Sequence, residues 1–270
     1  FQHNVEAAIF EQLARRAGNN LRRHYLTLQA RRLRRYEKRR CNQAHTVIAV
    51  SAVDRAVFQR DYGIGRCEVV PTGVDVDFYN PASQVCRASN IVFTGSMDWL
   101  ANQDAIQWFV KDILPLIQRE IPNVVFSIVG RNPPLEILRL GQLPGINVTG
   151  TVGDIRPYVH GARVYVAPLR IGSGTRLKLL EAMAMGKAVV STTIGAEGLP
   201  VEDGRNIVLA DDPEKFAHEV VTLLREDDWR IRLENSARSL VEDDYSWQKV
   251  GRVFNDICYR AALDMKQAVR

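Results

Sequence analysis

The 270-residue sequence has no apolar run near the 18 or so residues that a helix needs to cross a bilayer, so no segment reads as a membrane span. It has only four cysteines, Cys41, Cys67, Cys86 and Cys258, and no two stand at zinc-ligand or C-x-x-C spacing. They read as reduced thiols of a cytoplasmic protein. There is no G-x-G-x-x-G fingerprint, which argues against a dinucleotide-dependent dehydrogenase. No Asp/His cluster suggests a metal site, and none is expected. The chain starts with Phe1 rather than Met and reads as part of something longer, so the lack of a targeting signal carries no weight.

What charge there is lies unevenly. Residues 1–40 hold eleven Lys/Arg against three Asp/Glu, a balance of +8, whereas the other 230 residues balance to −3. A partner that selects for positive charge can therefore concern only the first segment. From Val5 to about Arg40 the apolar positions Val5, Ile9, Leu13, Ala17, Leu21, Tyr25, Leu28, Leu33 and Tyr36 recur every three or four residues. This predicts an amphipathic helix, broken near Gly18-Asn19-Asn20. Two readings stay open for its basic faces: plain solvation, or contact with an anionic membrane surface or anionic acceptor. The second would make the protein peripheral on the inner face of the membrane. Nucleic acid is disfavoured, because no stacking platform or reading motif accompanies the charge.

After short predicted strands at 46–51 and 67–71, with a helix at 54–62 between them, residues 76–89 read as a linker. Beyond it the alternation is regular. Strands are predicted at 90–95, 124–129, 146–149, 163–167, 187–191 and 206–209. Helices are predicted at 102–120, 134–140, 154–160, 174–185, 213–226, 228–242 and 246–266. Short, nearly continuous apolar strands between helices predict an α/β fold with a Rossmann-like parallel sheet covered on both faces. Such sheets bind ligands at the carboxyl ends of their strands, and the loops there are the place to look for chemistry.

Five loops qualify. The first holds Gly95 and Ser96, with Gly95 allowing close approach to a ligand. The second carries Arg131, expected in solvent. The third, Gly150-Thr151-Val152-Gly153-Asp154, exposes backbone that can pair with a base edge around Val152, and Asp154 reads as a helix N-cap. The fourth runs Gly172-Ser173-Gly174-Thr175-Arg176-Leu177-Lys178 into a helix. A glycine-rich turn opening a helix presents N–H groups and positive potential to phosphate, here around Gly174 and Thr175. Arg176 and Lys178 oppose the helix dipole unless a diphosphate sits nearby. Glu181, three residues after Lys178, can take ribose hydroxyls. The plainer alternative is an exposed Glu–Lys surface pair. The fifth loop, Gly195-Ala196-Glu197-Gly198, places Glu197 toward either a sugar or the solvent.

The ordered series Val70-Pro71-Thr72-Gly73-Val74-Asp75, Phe93-Thr94-Gly95-Ser96, Ile128-Val129-Gly130, Leu180-Glu181-Ala182-Met183-Ala184-Met185-Gly186, Gly195-Ala196-Glu197-Gly198 and Tyr245-Ser246-Trp247 resembles the retaining glycosyltransferases of the group 1 family, family 4, which have the two-domain GT-B fold. The resemblance covers residues 46–260. It implies a donor-binding domain over 90–245 and a remnant of the acceptor-binding domain over 1–75. Most of that domain would then be missing, and a last helix at 246–270 would pack back on the remnant. It implies Glu181 at the nucleotide ribose. The family's other glutamate, eight positions earlier, falls at Ser173, and its loop arginine at Ser96. Both departures fit a subgroup with a G-x-G-T-R-x-K loop, in which Arg176 and Lys178 hold the diphosphate.

The resulting expectation is transfer of a sugar from a nucleotide diphosphate sugar to an unknown acceptor hydroxyl with retention, without metal or cofactor. Arg176, Lys178 and the turn's N–H groups would stabilise the departing diphosphate. This chain is expected to bind donor nucleotide and transfer poorly or not at all. A nucleotide-sugar epimerase of the same fold and a non-catalytic nucleotide-binding protein remain as alternatives.

Overall fold

The computed structural model describes residues 1–81, 89–172 and 176–268. Half of the expected linker, with Cys86, and the turn residues Ser173, Gly174 and Thr175 lie outside the described residues.

The first forty residues form two helices, α1 (Glu6–Arg16) and α2 (Asn20–Cys41), with the break where Gly18 and Asn19 predict it. Asn19 caps α2 by accepting a bond from Leu21 N at 2.8 Å. The helices lie antiparallel, because Glu37 near the end of α2 accepts from the N–H groups of Glu6 and Ala7 at the start of α1. Here the periodicity misleads. The face of α2 that is buried holds Leu26, Ala30, Glu37 and Cys41, whereas Leu21, Tyr25, Leu28 and Tyr36 are exposed. The break resets the helical phase, so a stripe extrapolated from α1 lands on the outer side of α2. Glu37 can be buried because its carboxylate also accepts from the Tyr62 hydroxyl, at 2.6 Å.

Next come β1 (Val47–Ala49), α3 (Ala52–Tyr62) and β2 (Cys67–Val69), with β1 and β2 paired in parallel. Val47 and Ala49 face a core with Phe58 and Tyr62. Ile48 faces the opposite side, where Val250 and Ile257 of the last helix, α11 (Trp247–Ala268), cover it.

The remaining strands are β3 (Asn90–Thr94), β4 (Val125–Val129), β5 (Ile146–Gly150), β6 (Val164–Ala167), β7 (Ala188–Ser191) and β8 (Val208–Leu209). They form one parallel sheet in the order β5-β4-β3-β6-β7-β8. The helices are α4 (Leu100–Trp108), α5 (Leu114–Glu120), α6 (Leu135–Leu140), α7 (Arg156–His160), α8 (Leu177–Ala184), α9 (Pro213–Arg225) and α10 (Asp227–Asp244). Strand residues alternate between two cores. Ile91 and Phe93 meet α4, α5, α6 and α9, and Val92 meets α7, α8 and α10. Burial on both faces is why the strands read as continuous apolar runs.

The predicted single helix over 102–120 is divided by a π-helical turn at Phe109–Ile113. Pro115, which lacks an N–H and crowds the preceding turn, stands just beyond it. The helix expected from 154 begins at Arg156. Asp154 instead accepts Arg156 N at 2.9 Å and clasps its guanidinium at 2.7 Å. The helix expected from 174 is α8, whose N-cap residue is Arg176.

The chain winds outward from β3 to β5 and then returns to the other side of β3 as β6. Loops leaving β3 and β6 therefore diverge, and the crevice between them is the switch point at which such sheets take ligands.

Candidate functional site

At the switch point β3 is followed by Gly95, whose N–H donates to Val129 O at 3.0 Å. A Cβ on Gly95 would lie 2.7 Å from both Lys178 Nζ and Asn102 Nδ2. The bare backbone is what lets these two side chains reach the strand end. Lys178, in the first turn of α8, donates to Asn102 Oδ1 at 2.8 Å and stands over the Phe93 ring at 4.2 Å. Its residue keeps some exposed surface, but the ammonium is enclosed by these groups. Burial, reinforced by Arg176 and opposed by Glu181, lowers its pKa to about 7. Ser96 is committed locally. Its hydroxyl donates to Asp98 at 2.6 Å and accepts from Arg131 Nε at 2.8 Å, and its carbonyl accepts from Asn102 at 2.7 Å. Arg131 is exposed, as expected, and steadies Ser96.

The loop after β6 is fixed from two sides. Arg170 pairs bidentately with Asp104 of α4, at 2.6 and 3.0 Å. Gly172 N donates to Gln12 Oε1 of α1 at 2.6 Å. The Arg176 guanidinium fills the space where a Cβ on Gly172 would stand. Burial lowers the Arg176 pKa, and Glu197 and Asp54 act in the opposite sense. Glu197 comes from the loop after β7 and Asp54 from the first turn of α3, so Arg176 lies where the two units meet. Ser51, the N-cap of α3, comes so close to Gly198 that a Cβ there would stand 3.0 Å from the serine's own Cβ. Burial raises the pKa values of both Asp54 and Glu197, and Arg176 pulls each down.

Glu181, one turn further along α8, is hydrogen-bonded to the Tyr79 hydroxyl. Burial raises its pKa, while Tyr79 and Lys178 lower it. Burial and Glu181 in turn push Tyr79 up to about 12. Tyr79 is held in place by Arg238 of α10, which donates to the carbonyls of Tyr79 at 2.8 Å, Val76 at 3.1 Å and Ala184. The exposed Glu–Lys surface pair is therefore not what forms. Each partner turns inward to a different group.

The structure thus brings Gly95, Arg176, Lys178, Glu181 and Glu197 around one crevice, with Ser96 at its rim. Val152 lies past the end of β5, an edge strand, and packs with Ile155, Tyr158 and Tyr79 against the core under α8. Gly174 and Thr175 lie outside the described residues. Asn102, Tyr79, Asp54 and Gln12 were not singled out from the sequence, since each joins the site through a partner distant along the chain.

The family model described as "Glycosyl transferases group 1" matches residues 88–226, just over half of the chain. The chain belongs to the group 1 glycosyl transferases. A second model, "Glycosyltransferase Family 4", matches residues 3–78. Among group 1 relatives, a phosphatidyl-myo-inositol mannosyltransferase of Mycobacterium tuberculosis is 28% identical over 217 residues, or 75% of this chain and 56% of that protein. The chain spans about half the length of the curated relatives it matches. Solved structures share the fold. Sucrose-phosphate synthase from Thermosynechococcus elongatus superposes with a TM-score of 0.75 at 20% identity, over 94% of this chain and 66% of that one. Anabaena HepE, in complex with UDP and glucose, gives 0.68 at 17% identity over 85% and 66%. The sheet described above is that of GT-B glycosyl transferases. Among the described residues no helix is long and apolar enough to cross a membrane.

Proposed function

We propose that this chain holds a nucleoside-diphosphate sugar in the crevice between β3 and β6, as the donor-binding half of a transferase that moves the sugar to an acceptor hydroxyl with retention. The observation that carries the reading is the convergence of Lys178 and Arg176 from the start of α8 on the bare backbone of Gly95 and Gly172. A diphosphate seated there would meet two cations in an enclosed site, where charge stabilisation is strongest. Glu181 would accept from ribose hydroxyls, and Glu197 reaches the same crevice from the other side of Arg176.

In the reaction, the bond from the anomeric carbon to the diphosphate breaks, and the acceptor oxygen bonds to that carbon on the same face. The acceptor proton passes to the departing phosphate. Arg176 and Lys178 would supply the positive charge that a metal ion gives in other phosphate chemistry, so the proposed transfer needs no metal. HepE, solved with UDP and with UDP-glucose, makes a uridine donor the first to try. On the acceptor side, the +8 balance of residues 1–40 makes an anionic membrane surface the partner that fits the charge.

Calorimetric titration with UDP, GDP and ADP tests the donor site. One of the three is expected to bind, and Arg176→Ala is expected to weaken it about tenfold or more, as for loss of a charge-assisted bond. No binding by any of them would remove the basis of the reading, and unchanged affinity in the variant would remove Arg176 from the phosphate.

A further inference from the structure

We propose that the outward face of α2 is a docking surface for an anionic lipid bilayer. The proposal rests on the membrane reading of residues 1–40 and names the face and the way it engages. Along α2, residues 21, 25, 28, 32, 35 and 39 recur every three or four positions and form one stripe, opposite the buried Leu26, Ala30, Glu37 and Cys41. The stripe begins with Leu21, Tyr25 and Leu28, which are 81%, 59% and 46% exposed. It continues with Arg32, Arg35 and Arg39, all exposed, beside Tyr36, which is 58% exposed. Apolar and aromatic side chains flanked by arginine are the pattern of a helix that lies in the membrane interface.

Two shallow grooves border the stripe. One, of about 310 Å³ between α1 and α2, is lined by Arg15, Arg23, Thr27 and Arg31, with Glu11 at its edge. The other, of about 240 Å³, shares Arg23, Thr27 and Arg31 and reaches the stripe through His24 and Leu28. Arg23 and Arg31, one turn to either side of the Thr27 hydroxyl, suit the phosphates of lipid headgroups.

The charge is not balanced from within. The one carboxylate of α2 is Glu37, which is buried and bonded to Glu6 N, Ala7 N and Tyr62. Glu11 pairs with Arg34 at 2.6 Å. Among the described residues, no carboxylate ion-pairs with Arg22, Arg23, Arg31, Arg32, Arg35 or Arg39. Arg31, Arg35 and Arg39 repel one another at i,i+4 spacing. An anionic surface removes that repulsion while the apolar end of the stripe leaves water. A purely polyanionic partner would leave Leu21, Tyr25 and Leu28 in solvent, which favours a bilayer over nucleic acid.

Flotation of the whole chain with phosphatidylcholine vesicles, with and without phosphatidylglycerol, tests this. The chain is expected to float only with phosphatidylglycerol. The triple variant Leu21→Ser, Tyr25→Ser, Leu28→Ser and the double variant Arg23→Gln, Arg31→Gln should each lose about tenfold or more in binding. All five side chains lie outside the core, and unchanged thermal melts with unchanged UDP titration would show that the variants are intact. If the wild type does not float, the membrane reading of residues 1–40 fails. If it floats and the triple variant floats equally well, that reading stands and the assignment to this face fails. Release of the bound chain by an equal charge of duplex DNA would transfer the surface to nucleic acid. None of these outcomes depends on whether UDP binds.

Discussion

Lys178 gives the sharpest test of the donor site, because its enclosure that lowers its pKa to about 7 is what a diphosphate would reverse. In the unfolded chain the same amine titrates near its ordinary value of 10.5. Between these values the unfolded state binds a proton that the folded state releases, so stability should rise with pH across that window. The full fall corresponds to about 5 kcal/mol at most, of which about 2.5–3 kcal/mol is relieved between pH 6 and 9. Binding runs the other way. A diphosphate against the ammonium restores its proton, so at pH 8 UDP binding should take up about 0.9 proton. Affinity should then fall about 15-fold from pH 7 to 8.5, a range in which a terminal phosphate, with its pKa near 6, is already ionised.

Calorimetry in two buffers of different ionisation enthalpy reads the proton uptake directly. Lys178→Met keeps the apolar stem over Phe93 and removes the charge. It should bind UDP about 10- to 100-fold more weakly at pH 7 and lose the pH dependence. Its urea stability at pH 6 should equal or exceed that of the wild type. Wild-type affinity that stayed flat from pH 7 to 8.5, or an equal slope in Lys178→Met, would refute the placement of this ammonium against the phosphates.

Gly130→Ala should be strongly destabilising, because its Cβ would fall on the Gly95 carbonyl, with Met97 Cε 3.2 Å away. A loss of about 1–3 kcal/mol or more, read as a lower thermal midpoint, is expected, while Gly153→Ala, with open space around it, should melt like the wild type. Thr94→Val should cost about 1–3 kcal/mol in urea unfolding, since it strands the buried Tyr165 hydroxyl now 2.7 Å from Thr94 Oγ1, and adding Tyr165→Phe should restore most of it. Burial raises the Glu181 carboxyl above its ordinary value, so its contribution to stability is greatest at low pH and is lost as pH rises through the raised value. Glu181→Gln should therefore fold at least as stably at pH 7 yet bind UDP about tenfold or more weakly, and unchanged UDP affinity would exclude Glu181 from the ribose.

What could be read from the sequence was what local chain physics decides. The β3, β4, β6 and β7 strands showed as apolar runs because both of their faces are covered, and Gly95 marked a strand end where backbone must stay bare. The positions of Arg176 and Lys178 at the start of α8 followed from the same local grammar. Their partners did not. Lys178 meets Asn102 across 76 positions, and Gly172 meets Gln12 across 160. No periodicity records such pairings. Local grammar also failed where an interruption resets it. Gly18 and Asn19 reset the phase between α1 and α2, so Leu21, Tyr25 and Leu28 continue the apolar count on paper but point away from the core. Pro115 slips the register at Phe109–Ile113 in the same way. The two failures differ in consequence. The slip at Pro115 is absorbed within a buried layer, where Phe109 and Ile113 still reach the core. The reset at Gly18 leaves an apolar stripe with no core to meet, and an apolar stripe set among unpaired arginines is a surface that something outside the fold must complete.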